Sequence, residues 1–150
     1  MSIHDDLAAL ERVALLRLLG REALRMLAVG SETQRVHRGD TLFREGDAAD
    51  CGYAVRDGAL RLTDAQGGER RAGPGALIGE TALIIEVPRD ATALAEETST
   101  VIRISRSLFQ KVLESDAEAA VRLREAFAAR TTQITAEIAA VRARLTQHKD

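Results

Sequence analysis

The feature that most constrains the fold is a run of short segments, separated by glycine-containing turns, between residues 31 and 105. The turns contain Gly39, Gly46, Gly58 and Gly67 and recur at spacings of 7, 12 and 9 residues. Short strands at this spacing predict an antiparallel roll or sandwich, and Asp57-Gly58 is typical of a hairpin. The predicted strands are Gln34–His37, Thr41–Phe43, Tyr53–Arg56, Ala59–Thr63 and Val101–Ile104.

Helical periodicity lies on both sides of this region. Apolar positions step by three or four through residues 3–29, which predicts two helical pieces that stop at Gly20 and Gly30. After the last strand, Ser105 predicts the cap of a helix over residues 106–114. The chain is therefore predicted to be a single domain, with N-terminal helices in residues 1–30, a β-roll in residues 31–105 and C-terminal helices in residues 106–150.

The last of these helices carries a second pattern. Ser115-Asp116-Ala117-Glu118 has the form of a capping box at its start, and no proline or glycine follows. A helix of about 30 residues is about 45 Å long, which is longer than a small domain needs. Apolar residues with one threonine repeat along it at heptad spacing, which predicts a coiled coil and a homodimer. The predicted seam is Phe127, Thr131, Ile134, Ile138, Val141 and Leu145.

Composition disfavours several classes of protein. Apolar residues make up 45% of the chain and charged residues 29%, and the net charge of −2 gives no general attraction to nucleic acid or to an anionic membrane. No long uncharged apolar run predicts a membrane span, and the acidic N-terminal segment does not resemble a signal peptide, so we expect a cytoplasmic protein. The lone Cys51 excludes an internal disulfide, and scattered His4, His37 and His148 predict no metal site.

The segment from Ala76 to Ala93 holds the residues with the clearest chemistry. It reads ALIGETALIIEVPRDATA and combines Gly79-Glu80 with Pro88-Arg89 in nearly uncharged surroundings. Backbone N–H groups after a glycine, together with a guanidinium, favour an anion. A carboxylate accepts hydrogen bonds from hydroxyl groups. The segment therefore predicts a site for a small ligand that carries both a phosphate and a ribose.

These residues resemble a known family. GETALI followed by IEVPRDATA is similar to the phosphate-binding cassette of cyclic nucleotide-binding domains, which occur in catabolite activator proteins, protein kinase A regulatory subunits and nucleotide-gated channels. The preceding RGDTLFREGDAADCGYAVRDGALRL resembles the first strands of that family's roll. The resemblance implies an α+β fold with an antiparallel β-roll (a jelly roll), a cassette at residues 78–93 and a long C-terminal helix. It also implies a regulatory ligand, cAMP or cGMP, whose binding is transmitted through that helix.

The resemblance also implies roles for individual residues. Glu80 matches the carboxylate that accepts from the ribose 2′-hydroxyl, Gly79 the residue that allows close approach to the sugar, and Arg89 the guanidinium that pairs with the cyclic phosphate. Backbone N–H groups of Ala82 and Leu83 would complete the phosphate site. The other expected ligand-binding residues are Thr81, Asp90 and Ala91 in the cassette and, as candidate caps over the base, Thr131, Thr132 and Thr135.

Two acidic residues in the cassette depart from the family pattern. Asp90 stands where the family commonly has Ser, Thr or Ala, and at about 6 Å and an effective dielectric constant of about 20 it would repel the phosphate by roughly 3 kcal/mol. Glu86 adds a second negative charge. These residues favour an alternative, a non-liganded dimeric scaffold with a degenerate pocket and a protein partner that the sequence does not identify. Glu80 and Arg89 could then pair with each other or with a neighbouring loop.

Catalysis and DNA binding are not expected. The chain has no clustered histidines and no Gly-x-Ser-x-Gly elbow, and Cys51 is predicted to be a half-buried thiol with no activating neighbour in sequence. We therefore predict neither an enzyme nor a cofactor beyond the regulatory ligand. Nothing in these residues supplies a recognition helix or a basic stripe for DNA.

Overall fold

Two antiparallel four-stranded sheets form the centre of the molecule. The structure is a computed structural model that describes residues 3–126, 128 and 129. The sheets have the strand orders β1-β8-β3-β6 and β2-β7-β4-β5. The strands are β1 Glu32–Val36, β2 Thr41–Phe43, β3 Cys51–Asp57, β4 Leu60–Thr63, β5 Glu69–Ala72, β6 Leu77–Ile78, β7 Thr92–Ala95 and β8 Ser99–Ser105. Side chains from both sheets, among them Val55, Val101, Leu60 and Phe43, share one buried cluster, which confirms the predicted α+β class and jelly-roll arrangement.

The helices cover the outer face of the β1-β8-β3-β6 sheet. They are α1 Ile3–Glu11, α2 Ala14–Arg17, α3 Arg21–Gly30 and α4 Arg106–Ser115, followed by a helical segment at residues 117–126, here called α5. Leu10, Leu27 and Phe109 from the helices are buried together with Ile102 and Ile104 of β8. None of the helices in the described part of the chain is long and apolar enough to cross a bilayer.

The N-terminal helical region has three pieces rather than the predicted two. Gly20, with φ of +90°, precedes α3 as expected. A further break separates α1 from α2, where the backbone N–H groups of Arg12 and Val13 donate to Ala9 and Leu10 at 3.2 and 3.1 Å in tightened turns. The break lets Val13 and Leu16 both reach the core.

The predicted strands are present, but the Asp57-Gly58 hairpin prediction was wrong. β3 and β4 lie in different sheets, so this turn carries the chain across the roll. Buried Ser99 holds the crossing, because its Oγ accepts from the Ala59 N–H at 3.0 Å. The hairpin lies instead between β4 and β5, where Asp64 Oδ1 accepts from the backbone N–H groups of Gln66 and Gly68 at 2.9 and 2.8 Å.

Of the two predicted caps of the C-terminal helices, one is confirmed and the other lies one residue later in the sequence. Ser105 caps α4 as predicted, since its Oγ accepts from the Leu108 N–H at 3.1 Å. At the next helix the capping residue is Asp116 rather than Ser115, because Asp116 Oδ1 accepts from the Ala119 N–H at 3.1 Å. Ser115 is drawn back into α4, where its Oγ donates to the Val112 carbonyl at 2.7 Å. The predicted heptad seam, Phe127 to Leu145, lies outside the described residues.

Candidate functional site

A short 3-10 helix, Glu80–Leu83, follows β6 and begins the candidate site. Gly79 enters it with φ of +67°, a left-handed conformation that glycine adopts without strain. Leu83 is buried against β3, where a Cβ at Gly52 would come within 3.1 Å of the Leu83 Cγ. Leu83 therefore packs the Glu80–Leu83 turn against the sheet, and the absence of a side chain at Gly52 leaves room for it.

The main chain of Arg89 is held by the loop between β2 and β3, here called the 44–50 loop. The Arg89 N–H donates to the Asp47 carbonyl, and the Gly46 N–H donates to the Arg89 carbonyl, each at 2.8 Å. An antiparallel bridge between Ala48 and Pro88 continues this pairing. These main-chain bonds fix the backbone of Arg89 and so direct its side chain toward the interior of the roll.

The Arg89 side chain is buried, with 6% of its surface exposed. Its guanidinium carbon lies 4.4 Å from the ring centre of Phe43 and 5.6 Å from that of Tyr53. Nη2 donates to Cys51 Sγ at 3.2 Å, whereas Nη1 is buried without a hydrogen-bond partner. The contacts of the guanidinium are therefore two rings and a thiol, and one N–H-bearing nitrogen is left unsatisfied.

Gly79 makes room for this guanidinium. A Cβ at Gly79 would lie 2.2 Å from Arg89 Nη1, which is closer than any real contact. Only glycine combines that space with a φ of +67°. The two residues that the cassette pattern singled out are thus brought into direct contact, although they are ten positions apart in sequence.

The site opens into a cavity of about 740 Å³. Of the predicted ligand-binding residues, Gly79, Glu80, Thr81, Ala82, Arg89, Asp90 and Ala91 line it. Leu83 lies beneath the turn and is fully buried. Thr131, Thr132 and Thr135 lie outside the described residues. The Ala82 N–H donates to the Gly79 carbonyl at 3.2 Å, so within this turn it is already engaged.

Sequence reasoning missed the opposite wall of the cavity. The β4–β5 hairpin contributes Leu62, Asp64, Gln66, Gly68, Glu69 and Arg70. The turn at Gln66-Gly67-Gly68 was recognised in the sequence. Its position opposite Arg89 follows from the pairing of β4 with β7, which the short segments did not reveal.

Cys51 differs from its prediction. It is 3% exposed rather than half-buried, and a guanidinium that lies 38 positions away in sequence contacts it. Burial, followed by a hydrogen bond to Cys51 and the charge of that group, raises the pKa of Tyr53 to about 12, against a smaller opposing effect of Arg89 and Arg103. The phenol is therefore neutral at physiological pH. The buried charge of this site is the Arg89 guanidinium, and among the described residues no carboxylate is hydrogen-bonded to its Nη1.

Asp90 lines the cavity but is exposed, as is Glu86. Solvent screens an exposed carboxylate, so Asp90 should repel a bound phosphate by less than the roughly 3 kcal/mol expected from the sequence. In the part of the chain that the structure describes, no three His, Cys, Asp or Glu side chains come together as a metal site would require. The buried guanidinium of Arg89, with its unsatisfied Nη1, is suited to binding an anion.

Comparison with known proteins gives one family. The model of the cyclic nucleotide-binding domain matches residues 33–116. Among solved structures, a cyclic nucleotide-binding-like protein from Brucella abortus is 42% identical, with a TM-score of 0.63 over 73% of this chain and 98% of that one. The N-terminal domain of a transcriptional regulator from Streptomyces coelicolor is 32% identical, with a TM-score of 0.75 over 87% of this chain and 94% of that one.

A longer relative is the cAMP-dependent protein kinase regulatory subunit of Yarrowia lipolytica. It is 30% identical over 95 residues, which cover 63% of this chain. The chain spans about a quarter of that relative's length, since the match covers 25% of it.

Proposed function

Because the chain belongs to the cyclic nucleotide-binding domain family, we propose that it is a regulatory module that binds cAMP or cGMP at Arg89 and transmits binding to its C-terminal helices. The observation that carries this proposal is the unpartnered Nη1 of a guanidinium that is 6% exposed. A buried donor without a partner is unfavourable by about 1–3 kcal/mol, and more when it is charged. A phosphate oxygen in the cavity would satisfy it.

The other site residues fit the two ends of such a ligand. A phosphate at Arg89 would gain a charge-assisted, bidentate interaction, with Asp90 and Ala91 beside it. Glu80 lies next to Gly79, where it could accept from a ribose hydroxyl. Leu83 and Ala82 would contribute backbone N–H groups, which for Ala82 requires sharing its donor with the Gly79 carbonyl.

Transmission requires that the ligand bind two arrangements of the domain unequally, because a ligand with equal affinity for both shifts neither. The Glu80–Leu83 turn contacts α4 and β3, so a ligand that fixes the turn also acts on a helix. Regulation rather than catalysis is the function we infer for this site. The base caps Thr131, Thr132 and Thr135 remain part of the proposal.

The test is calorimetric titration of cAMP, cGMP and cyclic dinucleotides into the full chain and into Arg89→Lys. Lysine keeps the charge but loses the bidentate fork, so we expect micromolar binding of one nucleotide by the parent chain and at least about tenfold weaker binding by the variant. Arg35→Lys, at an exposed position on β1, is the matched control and should bind like the parent. Equal affinity of the parent and Arg89→Lys would contradict the assignment.

A dimeric scaffold without ligand is the second candidate, favoured by the carboxylate of Asp90 in the wall of the cavity. In both candidates we propose a homodimer through the heptad seam and a further protein as partner. Ile138→Glu should lower the mass measured by sedimentation, because a charge in a coiled-coil seam opposes pairing. A dimer that binds none of the nucleotides would favour the scaffold.

A further inference from the structure

Arg106, the first residue of α4, joins three separate segments of the chain. Its backbone N–H donates to the Asp50 carbonyl at 2.7 Å. Its Nε donates to the Ala82 carbonyl at 2.7 Å, and its Nη2 donates to the Ala49 carbonyl. The side chain is half-buried. One rigid guanidinium thus bridges the Glu80–Leu83 turn and the 44–50 loop while its own backbone begins a helix.

These acceptors belong to the two segments that build the anion site. Ala82 lies in the turn that follows Gly79, whose missing side chain leaves room for Nη1. Ala49 and Asp50 end the 44–50 loop, which holds the main chain of Arg89 through Asp47 and Gly46. Hydrogen bonds therefore join the main chain of Arg89 to the 44–50 loop, and the far end of the same loop to Arg106, which in turn bonds to the Glu80–Leu83 turn.

The turn needs such an external contact. A 3-10 helix of four residues has poor hydrogen-bond geometry and little stability of its own. A trans peptide directs its C=O and N–H in opposite directions, so holding the Ala82 carbonyl toward Arg106 also fixes the direction of the Leu83 N–H. Arginine suits this task because its planar fork can donate to two carbonyls at once, which a lysine ammonium matches poorly.

We propose that Arg106 is a positioning residue that holds the Glu80–Leu83 turn and the 44–50 loop in register with α4, so that occupancy of the Arg89 site and the packing of α4 depend on each other. The coupling rests on the proposed function, because it takes a bound anion at Arg89 as one of its two ends. The positioning of the turn does not require a ligand and can be measured without one.

Arg122 supplies a matched comparison. Its Nε also donates to a main-chain carbonyl, that of Leu18, at 2.7 Å. That bond ties α5 to the segment after α2 and is remote from the cavity. Arg122→Gln therefore reports what the loss of one guanidinium–carbonyl contact away from the cavity does to stability, whereas Arg106→Gln removes two contacts of this kind, those to Ala82 and Ala49, beside the site.

The experiment combines amide hydrogen exchange with titration, in the parent chain, Arg106→Gln, Arg106→Lys and Arg122→Gln. The N–H groups of Ile84 and Ile85 donate to the Thr81 carbonyl at 3.1 and 3.0 Å and report on opening of the turn. Without ligand, we expect these N–H groups to exchange at least about tenfold faster in Arg106→Gln than in Arg122→Gln, because the turn opens more readily once its charge-assisted contact is lost. Arg106→Lys should be intermediate and serves if the glutamine variant does not fold.

With cAMP or cGMP, the parent chain and Arg122→Gln should show ligand-dependent protection in α4. The Arg106 variants should lose that protection and bind about tenfold more weakly. Unchanged exchange at Ile84 and Ile85 in both Arg106 variants would overturn the positioning role. If the parent chain binds no nucleotide, the proposed function fails, and faster exchange in the Arg106 variants would still support the positioning of the turn.

Discussion

Replacing Arg89 by methionine is predicted to stabilise the ligand-free protein while it removes the anion site. A charge taken out of water is unfavourable by several kcal/mol even after relaxation of the protein. At Arg89 this charge is 6% exposed, and one nitrogen has no hydrogen-bond partner. Methionine is somewhat shorter than arginine, since its terminal methyl corresponds to arginine Nε, but it is flexible, carries no charge and packs well against aromatic rings.

The magnitude follows from the contacts that the substitution removes and keeps. Stacking of the guanidinium on Phe43, at 4.4 Å, contributes about 0.5–2 kcal/mol, and the bond to the weakly accepting thiol of Cys51 adds little. A thioether on the same rings restores about 0.3–1.5 kcal/mol. The desolvation penalty that the substitution removes exceeds the net loss of these contacts. We therefore expect the free energy of unfolding to rise by about 2 kcal/mol. At this chain length that is a rise of about 4–8 °C in Tm.

The assay is calorimetric unfolding of protein refolded from denaturant, so that no nucleotide carried through purification contributes. Arg56→Met is the control with the opposite sign. Arg56 Nη1 lies 3.1 Å from Asp6 Oδ1, and the two side chains are 15% and 14% exposed. Removing this partner leaves the partly buried carboxylate of Asp6 with the hydrogen bond from Thr33 Oγ1 at 3.2 Å but without its ion pair, so it should lower Tm.

Ligand should remove the stability advantage of Arg89→Met over the parent chain. Nucleotide at 100 times its Kd stabilises a binding-competent chain by about 2.7 kcal/mol and leaves a non-binding variant unchanged. The parent chain should then match or exceed Arg89→Met. A variant that is less stable than the parent without ligand, as Arg56→Met is expected to be, would show that the fold itself compensates the charge of Arg89, and the inference of an anion site would lose its basis.

Three further predictions concern the surroundings of the site. Gly79→Ala should weaken nucleotide binding in titration by at least about tenfold, because its Cβ would lie 2.2 Å from Arg89 Nη1. Gly39→Ala is the control: Gly39 has a φ of +88° and open space around it, so its variant shares only the backbone strain and should bind normally. Asp90→Ser should tighten binding about two- to fivefold at low salt, the effect of one exposed charge, and weaker binding would identify Asp90 as a ligand contact. The pKa of Tyr53 is raised to about 12 from 10.0, so the unfolded chain loses this proton first and stability should fall between pH 10 and 12 by about 1.4 kcal/mol per pH unit. Tyr53→Phe should flatten that slope in denaturant titrations, and an unchanged slope would assign it to other groups.

The strands were predicted from local sequence signals, so strands without such a signal were missed. Segments flanked by clear turns, such as Thr41–Phe43, were found with correct bounds. β6, Leu77–Ile78, and β7, Thr92–Ala95, were missed as strands because they are the short entrance and exit of the cassette and have no turn signal of their own. The Asp57-Gly58 error has a different cause. A local turn preference does not tell whether the next strand pairs with the previous one or joins the opposite sheet.

The candidate site was predictable where its residues are close in sequence. Gly79, Glu80 and Arg89 could be identified because glycine, carboxylate and guanidinium occur in one uncharged stretch. Cys51 and Arg106 could not, because they reach Arg89 and Ala82 across 38 and 24 positions. Those contacts exist only once β3, β8 and α4 have been brought together by the two sheets.

The ligand-binding and scaffold hypotheses make opposite demands on the same two residues. For a scaffold, the unpartnered Nη1 of Arg89 and the glycine required beside it reduce stability without a compensating contact within the described residues. For a receptor, both features leave a donor and a space that an anion can use. Asp90 was the main sequence argument for the scaffold, and its exposure reduces the repulsion on which that argument depended. The balance of these terms favours the receptor.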